Sequence, residues 1–239
     1  MKKLLFFIGL FFIGLQFNLY SQEIIDGIGK LKLNCSPEVF KEIGYRKEPI
    51  IINEYDDYRK MKNTSYKSSG NLYMIEYNED MILTEAVSHP NVKVYFIPSY
   101  SPTQSIELKD VFLKFFNDSL YEIHIKEYPS KLEEAFDLKY GKSKREMKEE
   151  EKHYVNGLGN KITKIDKLFE HTWDSKDPNI GCYSIFNAYH DDHGEMRFIK
   201  FFQIYQVDKS EKIDQYKRDE QKRKEDAKRE KLLKEIEAL

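Results

Sequence analysis

The chain has 239 residues, with 39 basic against 41 acidic side chains, and it carries 17 Tyr and 16 Phe. So mild a charge balance excludes a general pull toward nucleic acid or anionic membrane. So many aromatics exclude disorder throughout, because they supply the apolar area that a folded core requires.

The opening residues, MKKLLFFIGLFFIGLQFNLYSQ, have the order of an export signal: cationic Lys2 and Lys3, an apolar run from Leu4 to Leu15, and a more polar exit through Gln16 and Asn18. Residues 1–21 therefore read as a signal peptide cleaved after Ser21, although Leu19 stands where a smaller side chain is preferred. As an uncleaved anchor, Leu4 to Tyr20 would make a helix of about 25 Å against a hydrocarbon core of about 30 Å, and Gln16 and Asn18 oppose it. A lipid anchor needs a cysteine directly after the apolar run, and the first is Cys35. The expected product is exported, periplasmic or extracellular, with no membrane attachment after cleavage. Lys2 and Lys3 leave with the leader, so 218 residues remain, 37 basic and 41 acidic, enough for one large domain or two small ones. In an oxidising compartment Cys35 and Cys182 pair if they meet in space, and otherwise act as small buried hydrophobes.

The mature start, EIIDGIGKLKLNCSPEVFKEIG, reads as a Gly-punctuated extended segment and then a short helix. Ser36 is placed to cap it, Pro37 suits its first position and Gly44 ends it, with Val39, Phe40 and Ile43 on one face. Ile50 to Ile52 fits a strand, and DDYRKMKNTSYKSSG reads as a polar loop or weak helix. From Asn71 the apolar period is two. Leu72 to Tyr77 and Val92 to Ile97 are β-like, the second broken by Pro98, and Val111 to Phe116 with Leu120 to Lys126 flank the turn Asn117-Asp118. In that last run Tyr121, Ile123 and Ile125 point one way and Glu122, His124 and Lys126 the other, so one sheet face should be wet and the other covered.

YPSKLEEAFDLKYG is the clearest helix. Ser130 and Glu133 have capping-box spacing, Gly141 is a stop, and Leu132, Ala135, Phe136 and Tyr140 form a stripe to cover the dry sheet face. The charged KSKREMKEEEK reads as a solvated linker or helix extension. Strands follow at Lys167 to Trp173, Ile180 to His190 and Met196 to Val207, the last two joined by a turn at Asp191-Asp192-His193-Gly194. Bulky side chains on both faces of Met196 to Val207 place that strand centrally, buried on much of both sides. The tail from Lys209 has neither Gly nor Pro and repeats acid-to-base pairs at i,i+4, from Asp214–Arg218 to Glu230–Lys234, so it reads as a long helix. Its middle, Lys217 to Asp226, has no apolar residue. Only Ile213 and Tyr216 at one end, or Leu232, Leu233, Ile236 and Leu239 at the other, can dock, the latter either folded back on its own domain or against a partner.

The expected class is α+β: one or more antiparallel sheets with helices packed on one face, in two helix-then-strands units, plus a long C-terminal helix. The globular region is 22–208, with possible halves 22–128 and 129–208, and the charged helix is 209–239. FKEIGY and FDLKYG end the two short helices alike, as a duplicated unit would.

The series FLKFFNDSLYEIHI, KLEEAFDLKYG, an isolated HTW and an aromatic hairpin looks like a layout that recurs among uncharacterised exported proteins of Bacteroidota-type bacteria. Its element order is similar to the helix-then-sheet units of small outer-membrane assembly lipoproteins and β-lactamase-inhibitor proteins. The resemblance spans residues 25 to 208 and rests on caps, turns and core aromatics. It carries no catalytic residue, and the absence of a lipidation cysteine departs from the lipoprotein group.

Two groups of residues are candidates for chemistry. His190, Asp191, Asp192 and His193 are the densest set of imidazole and carboxylate ligands for a divalent metal, although a hairpin tip also favours Asp and Gly for conformational reasons. His171, Trp173 and Asp174 can line a pocket, although a lone Trp is more often a core anchor. His124 falls on the polar strand face and reads as solvated, while His89 and His153 fall in expected loops without a visible partner. DGIG and NGLGN read as turns, not phosphate loops, and no cofactor is implied. The expected function is a non-catalytic binding module of the envelope. Its partner would be another protein, or a second copy pairing through the C-terminal helix as a coiled coil, and not nucleic acid. The alternative is a secreted hydrolase or small-ligand protein with a site near His171 and Trp173 or at the His190 to His193 turn.

Overall fold

The computed structural model describes residues 23–52, 70–76, 89–155 and 159–237. The leader, the polar stretch before Gly70, Tyr77, most of NGLGN and Leu239 lie outside the described residues. A hairpin of β1 (Gly27–Ile28) and β2 (Leu31–Lys32) is followed by α1 (Val39–Glu42), β3 (Ile50–Ile52) and β4 (Tyr73–Ile75). Next come β5 (Val92–Thr103), β6 (Ile106–Phe116), β7 (Ser119–Glu127) and α2 (Lys131–Tyr140). The chain continues through β8 (Lys144–Val155), β9 (Lys161–Thr172), β10 (Ile180–His190) and β11 (Met196–Gln206) into α3 (Val207–Glu237). The class is α+β, built on a large mixed sheet.

Nine strands form that sheet, in the order β3-β4-β5-β6-β7-β11-β10-β9-β8. β3 and β4 are parallel, while β4 to β7 form one antiparallel meander and β8 to β11 another. The meanders meet where Glu122–Ile125 of β7 runs antiparallel to Phe202–Tyr205 of β11. Asn117 and Asp118, with φ of 50° and 57°, make the expected tight turn between β6 and β7. At the first hairpin Gly29, with φ of 59°, leaves room for the Tyr100 hydroxyl, which accepts the Lys30 N–H at 2.9 Å.

Alternation along β5 and β6 sends Tyr95, Ile97, Val111, Leu113 and Phe115 to one face and Val94, Phe96, Phe112 and Phe116 to the other. The first face carries the larger core, in which Val39 and Phe40 of α1 and Leu132, Phe136 and Tyr140 of α2 join Phe202 and Ile204. The second face is also buried over this half of the sheet. Ile213 of α3 is 3% exposed among Phe112, Phe116 and Tyr121, so the helices do not all lie on one face and neither face of β5 to β7 is simply wet.

Four local expectations are corrected. A bulge pairs Lys114 with Glu122 but Phe115 with Leu120, which leaves Tyr121 as the extra residue and turns it away from Ile123 into the second cluster. Pro98 does not end β5. The ladder merely skips it, between the pairs Ile97↔Val111 and Ser99↔Lys109, and Asp110 stands opposite with φ of 51°. KSKREMKEEEK is neither linker nor helix but most of β8, a charged edge strand registered along its whole length on β9. Its charges are met across the ladder, as in Lys152–Asp166 at 2.6 Å and Glu149–Lys167 at 3.0 Å, and they protect the sheet edge from further pairing. β11 is central as expected, yet only its Phe202–Gln206 end is buried. Met196–Ile199 runs past the end of its pairing with β7 and is exposed.

The helix caps differ as well. Neither α1 nor α2 has a side-chain cap, so Ser36 and Ser130 do not act as expected. Gly44 and Gly141 do end the helices, with φ of 103° and 95°. Among the described residues no helix is long and apolar enough to cross a membrane. Cys35 and Cys182 are unpaired, and burial raises both thiol pKa values above normal.

Candidate functional site

Trp173 follows β9 directly and is 2% exposed, wedged between Phe136 and Phe202 at ring separations of 5.7 and 5.3 Å. Its Nε1–H donates to Asp137 Oδ1 at 2.8 Å, so it ties α2 to the sheet as a core anchor. Desolvation pushes the Asp137 carboxyl up, but hydrogen bonds from Ser143 and Trp173, with the nearby Arg145, outweigh it and leave the pKa below normal. Asp174 lies outside, exposed and paired with Lys144 at 3.0 Å. His171, the third candidate, lines a cavity.

That cavity, of about 360 Å³, lies between the first turn of α2 and the strands β9 to β11, lined by Glu133, Phe169, His171, Ser184, Phe186 and Lys200. Glu133 is its hub. Oε1 accepts the Tyr128 hydroxyl and the Ser184 hydroxyl, each at 2.8 Å. Burial, reinforced by the neighbouring Glu133, holds the Tyr128 pKa well above normal. Lys200 sits 4.0 Å above the Tyr128 ring and donates to the Tyr128 carbonyl at 3.1 Å. His171 Nδ1 lies 3.4 Å from Glu133 Oε2, yet it is buried and makes no hydrogen bond.

This order of contacts decides what the cluster can do. A nucleophilic serine needs an imidazole between its hydroxyl and the carboxylate. Here the Ser184 hydroxyl donates its hydrogen bond directly to the carboxylate, and His171 stands to one side. The arrangement clamps α2 to the sheet and offers a recess with apolar walls, a carboxylate and an unsatisfied imidazole nitrogen, which suits recognition.

The His190 to His193 group does not converge. At 8% exposure His190 turns inward, where Asp166 Oδ1 lies 2.8 Å from both its backbone N–H and its Nδ1. The β9–β10 ladder ends at Ala188↔Lys167, so the Asp166 carboxylate supplies the bond that the next rung would have made. Its other oxygen meets Lys152, which with His190 overcomes the cost of burial and lowers the Asp166 pKa to about 2. Asp191 is the organiser of the turn, accepting from the backbone of His193 and Glu195 and from Arg197 at 2.9–3.0 Å. Asp192 and His193 are exposed. Among the described residues no three His, Cys, Asp or Glu side chains gather where they could hold a metal.

The remaining histidines are corrected too. His124 is covered, not solvated: it stacks on Phe201 at 4.9 Å, and burial lowers its pKa. His89 packs between Phe116 and Tyr216, and His153 lies within β8, bonded to Thr163 at 3.1 Å. Sequence reading missed Glu133, Phe169, Ser184, Phe186 and Lys200 of the cavity lining, and Tyr128, which bonds Glu133 beside it. Glu133 carried the only signal, and that signal pointed to a capping box. Comparison with protein-family models, with curated proteins and with solved structures gave no match.

Proposed function

We propose that this chain is an exported, non-catalytic interaction module of the cell envelope, working in the periplasm or outside the cell, with α3 as its reaching element. One observation carries the reading. Leu232, Leu233 and Ile236 are 57, 51 and 56% exposed, at the far end of a helix whose preceding turns, from Lys217 to Asp226, have no apolar residue. A helix of that composition has no core of its own to cover such a tip, and a partner protein can supply one. The leader supports export, and the two mirrored meanders support reading the body as paired helix-then-strands units. The test compares envelope proteins captured by the intact chain with those captured by a chain ending after Lys217. The intact chain is expected to hold partners that the shortened chain loses, and equal capture would remove the reading.

A second reading, a site for a small ligand, is favoured by the unbonded His171 Nδ1 beside Glu133. A ligand with a flat apolar body and a hydrogen-bonding head would satisfy it. In a fragment screen by protein-observed NMR, hits should cluster at His171 and Phe186 and vanish in His171→Ala. Hits scattered over the surface would end this second reading.

A further inference from the structure

On the sheet face that seats α3, the ladder sets side chains in two neighbouring rows. Lys114 of β6, Glu122 of β7 and Tyr205 of β11 make one, and Phe112, His124, Gln203 and Tyr183 of β6, β7, β11 and β10 make the other. A central strand ordinarily buries apolar side chains, yet Glu122 is only 4% exposed and is paired with Lys114 at 2.7 Å. The helix opposite is polar as well. Ser210, Ile213, Asp214 and Lys217 recur at helical spacing on its side toward the sheet, and of these only Ile213 belongs to the apolar stripe by which a helix docks. The two polar surfaces do not close on each other, and they enclose a chamber of about 390 Å³, within the range of small-molecule sites.

Charge decides what this chamber can hold. Lys114 is matched by Glu122, and Lys217 by Asp214 at 3.4 Å. Burial lowers the His124 pKa, so its ring brings no charge at neutral pH. Burial raises the Tyr205 pKa, and Glu122, Glu170 and Glu211 add to it, so the surroundings oppose an anion. A cation would have to displace a lysine from its carboxylate. The ligand left is neutral, and it must meet acceptors on Glu122 and Asp214 and donors on Lys114 and Ser210 together. A hydroxyl group both donates and accepts. The Tyr183 ring, whose hydroxyl donates to Gln203 Oε1 at 2.7 Å, and the Tyr205 ring add aromatic faces of negative potential, on which the C–H side of a sugar ring packs.

A second cavity, of about 600 Å³, adjoins the first, since Lys114 and His124 line both. Its walls include Phe112, Ile199 and Phe201, and its charged rim is also balanced, with Lys126 and Lys200 against Asp110 and Glu127. We infer that this groove, from beneath α3 to Phe201, binds a short neutral glycan, with one sugar unit hydrogen-bonded in the chamber and the next packed on Phe112 and Phe201. The site uses no residue beyond Lys217, so it is separate from the exposed tip of α3.

Trisaccharides of glucose, mannose, galactose and N-acetylglucosamine are added to the mature chain and followed by protein-observed NMR. At least one is expected to shift the His124 and Tyr183 ring signals and to bind about tenfold or more tighter than its own monosaccharide, because only the longer sugar reaches Phe201. Tyr183→Phe removes a hydroxyl and keeps the ring, and Asp214→Asn alters a half-exposed carboxylate, so both variants keep the fold. Each should weaken that sugar about tenfold, the size of one hydrogen bond, and Leu233→Glu should leave it unchanged. Silence from all the sugars, shifts confined to other residues, no gain from the longer sugar, or equal affinity in both site variants and the unmodified chain would overturn the inference. So would a stronger response of His124 and Tyr183 to inorganic phosphate or to spermidine, since either would mean a charged ligand.

Discussion

Single side chains here are placed by partners that lie far away in sequence. Trp173 is held by its bond to Asp137, 36 positions earlier. Trp173→Phe keeps an aromatic but smaller ring and removes the donor to a buried-edge carboxylate, so it should destabilise the fold by about 1.5–3 kcal/mol or more, read from urea unfolding. Asp166 offers a pH test. Its pKa falls from 3.8 to about 2 on folding, so its ion pair adds stability that is complete above the unfolded value and is lost as pH drops through about 2. The unfolding midpoint should therefore decline between pH 4 and pH 2, and Asp166→Asn should flatten that limb. An acid limb unchanged in Asp166→Asn would mean that other carboxylates govern it. Neither role was legible locally: His171-Thr-Trp173 suggested a pocket and His190-Asp191-Asp192-His193 a ligand set, because adjacency in sequence says nothing about which way each side chain turns.

At the scale of elements, local propensity and tertiary demand agree in some places and conflict in others. The Asn117-Asp118 turn, the Gly141 stop and the extent of β10 were readable, since each depends on neighbours within a few residues. β8 was not. Its Lys and Glu content favours helix or loop, and only the opposing charges of β9 make it a strand. α2 supplies a sharper contrast. Ser130 makes no cap bond, so Ser130→Ala should change stability by no more than about 0.5 kcal/mol. Glu133→Ala strands the Tyr128 and Ser184 hydroxyls and should cost about 1–3 kcal/mol. Thermal unfolding of the two variants separates a capping role from a clamping one. In α3 the ion pairs include Glu230–Lys234 at 2.8 Å, as the spacing implied, but also Glu220–Arg223 and Asp214–Lys217 at i,i+3. Long exposed side chains choose freely between the two neighbours that a helix offers.

For the whole molecule, α3 joins the core through Ile213 and carries the exposed Leu232, Leu233 and Ile236 near its other end. Ending the chain after Lys217 should leave the unfolding midpoint where it is. Ending it after Asp208 removes Ile213 from its place among Phe112, Phe116 and Tyr121 and should cost about 2–5 kcal/mol, the range for emptying a buried aliphatic site. Equal midpoints in the two truncations would show that Ile213 is dispensable.

The sequence by itself determined the α+β class, most strand positions, the turn and helix stops, and the long charged C-terminal helix. Each follows from periodicity, glycine, or runs of strong helix formers, whose effects act over a few bonds. Only the tertiary structure decided that two meanders join through β7 and β11, that a bulge turns Tyr121 over, and that Glu133 collects Tyr128 and Ser184. It alone also left Leu232, Leu233 and Ile236 of α3 exposed. Those outcomes depend on which surfaces meet across tens to more than a hundred residues, and no local pattern encodes the meeting.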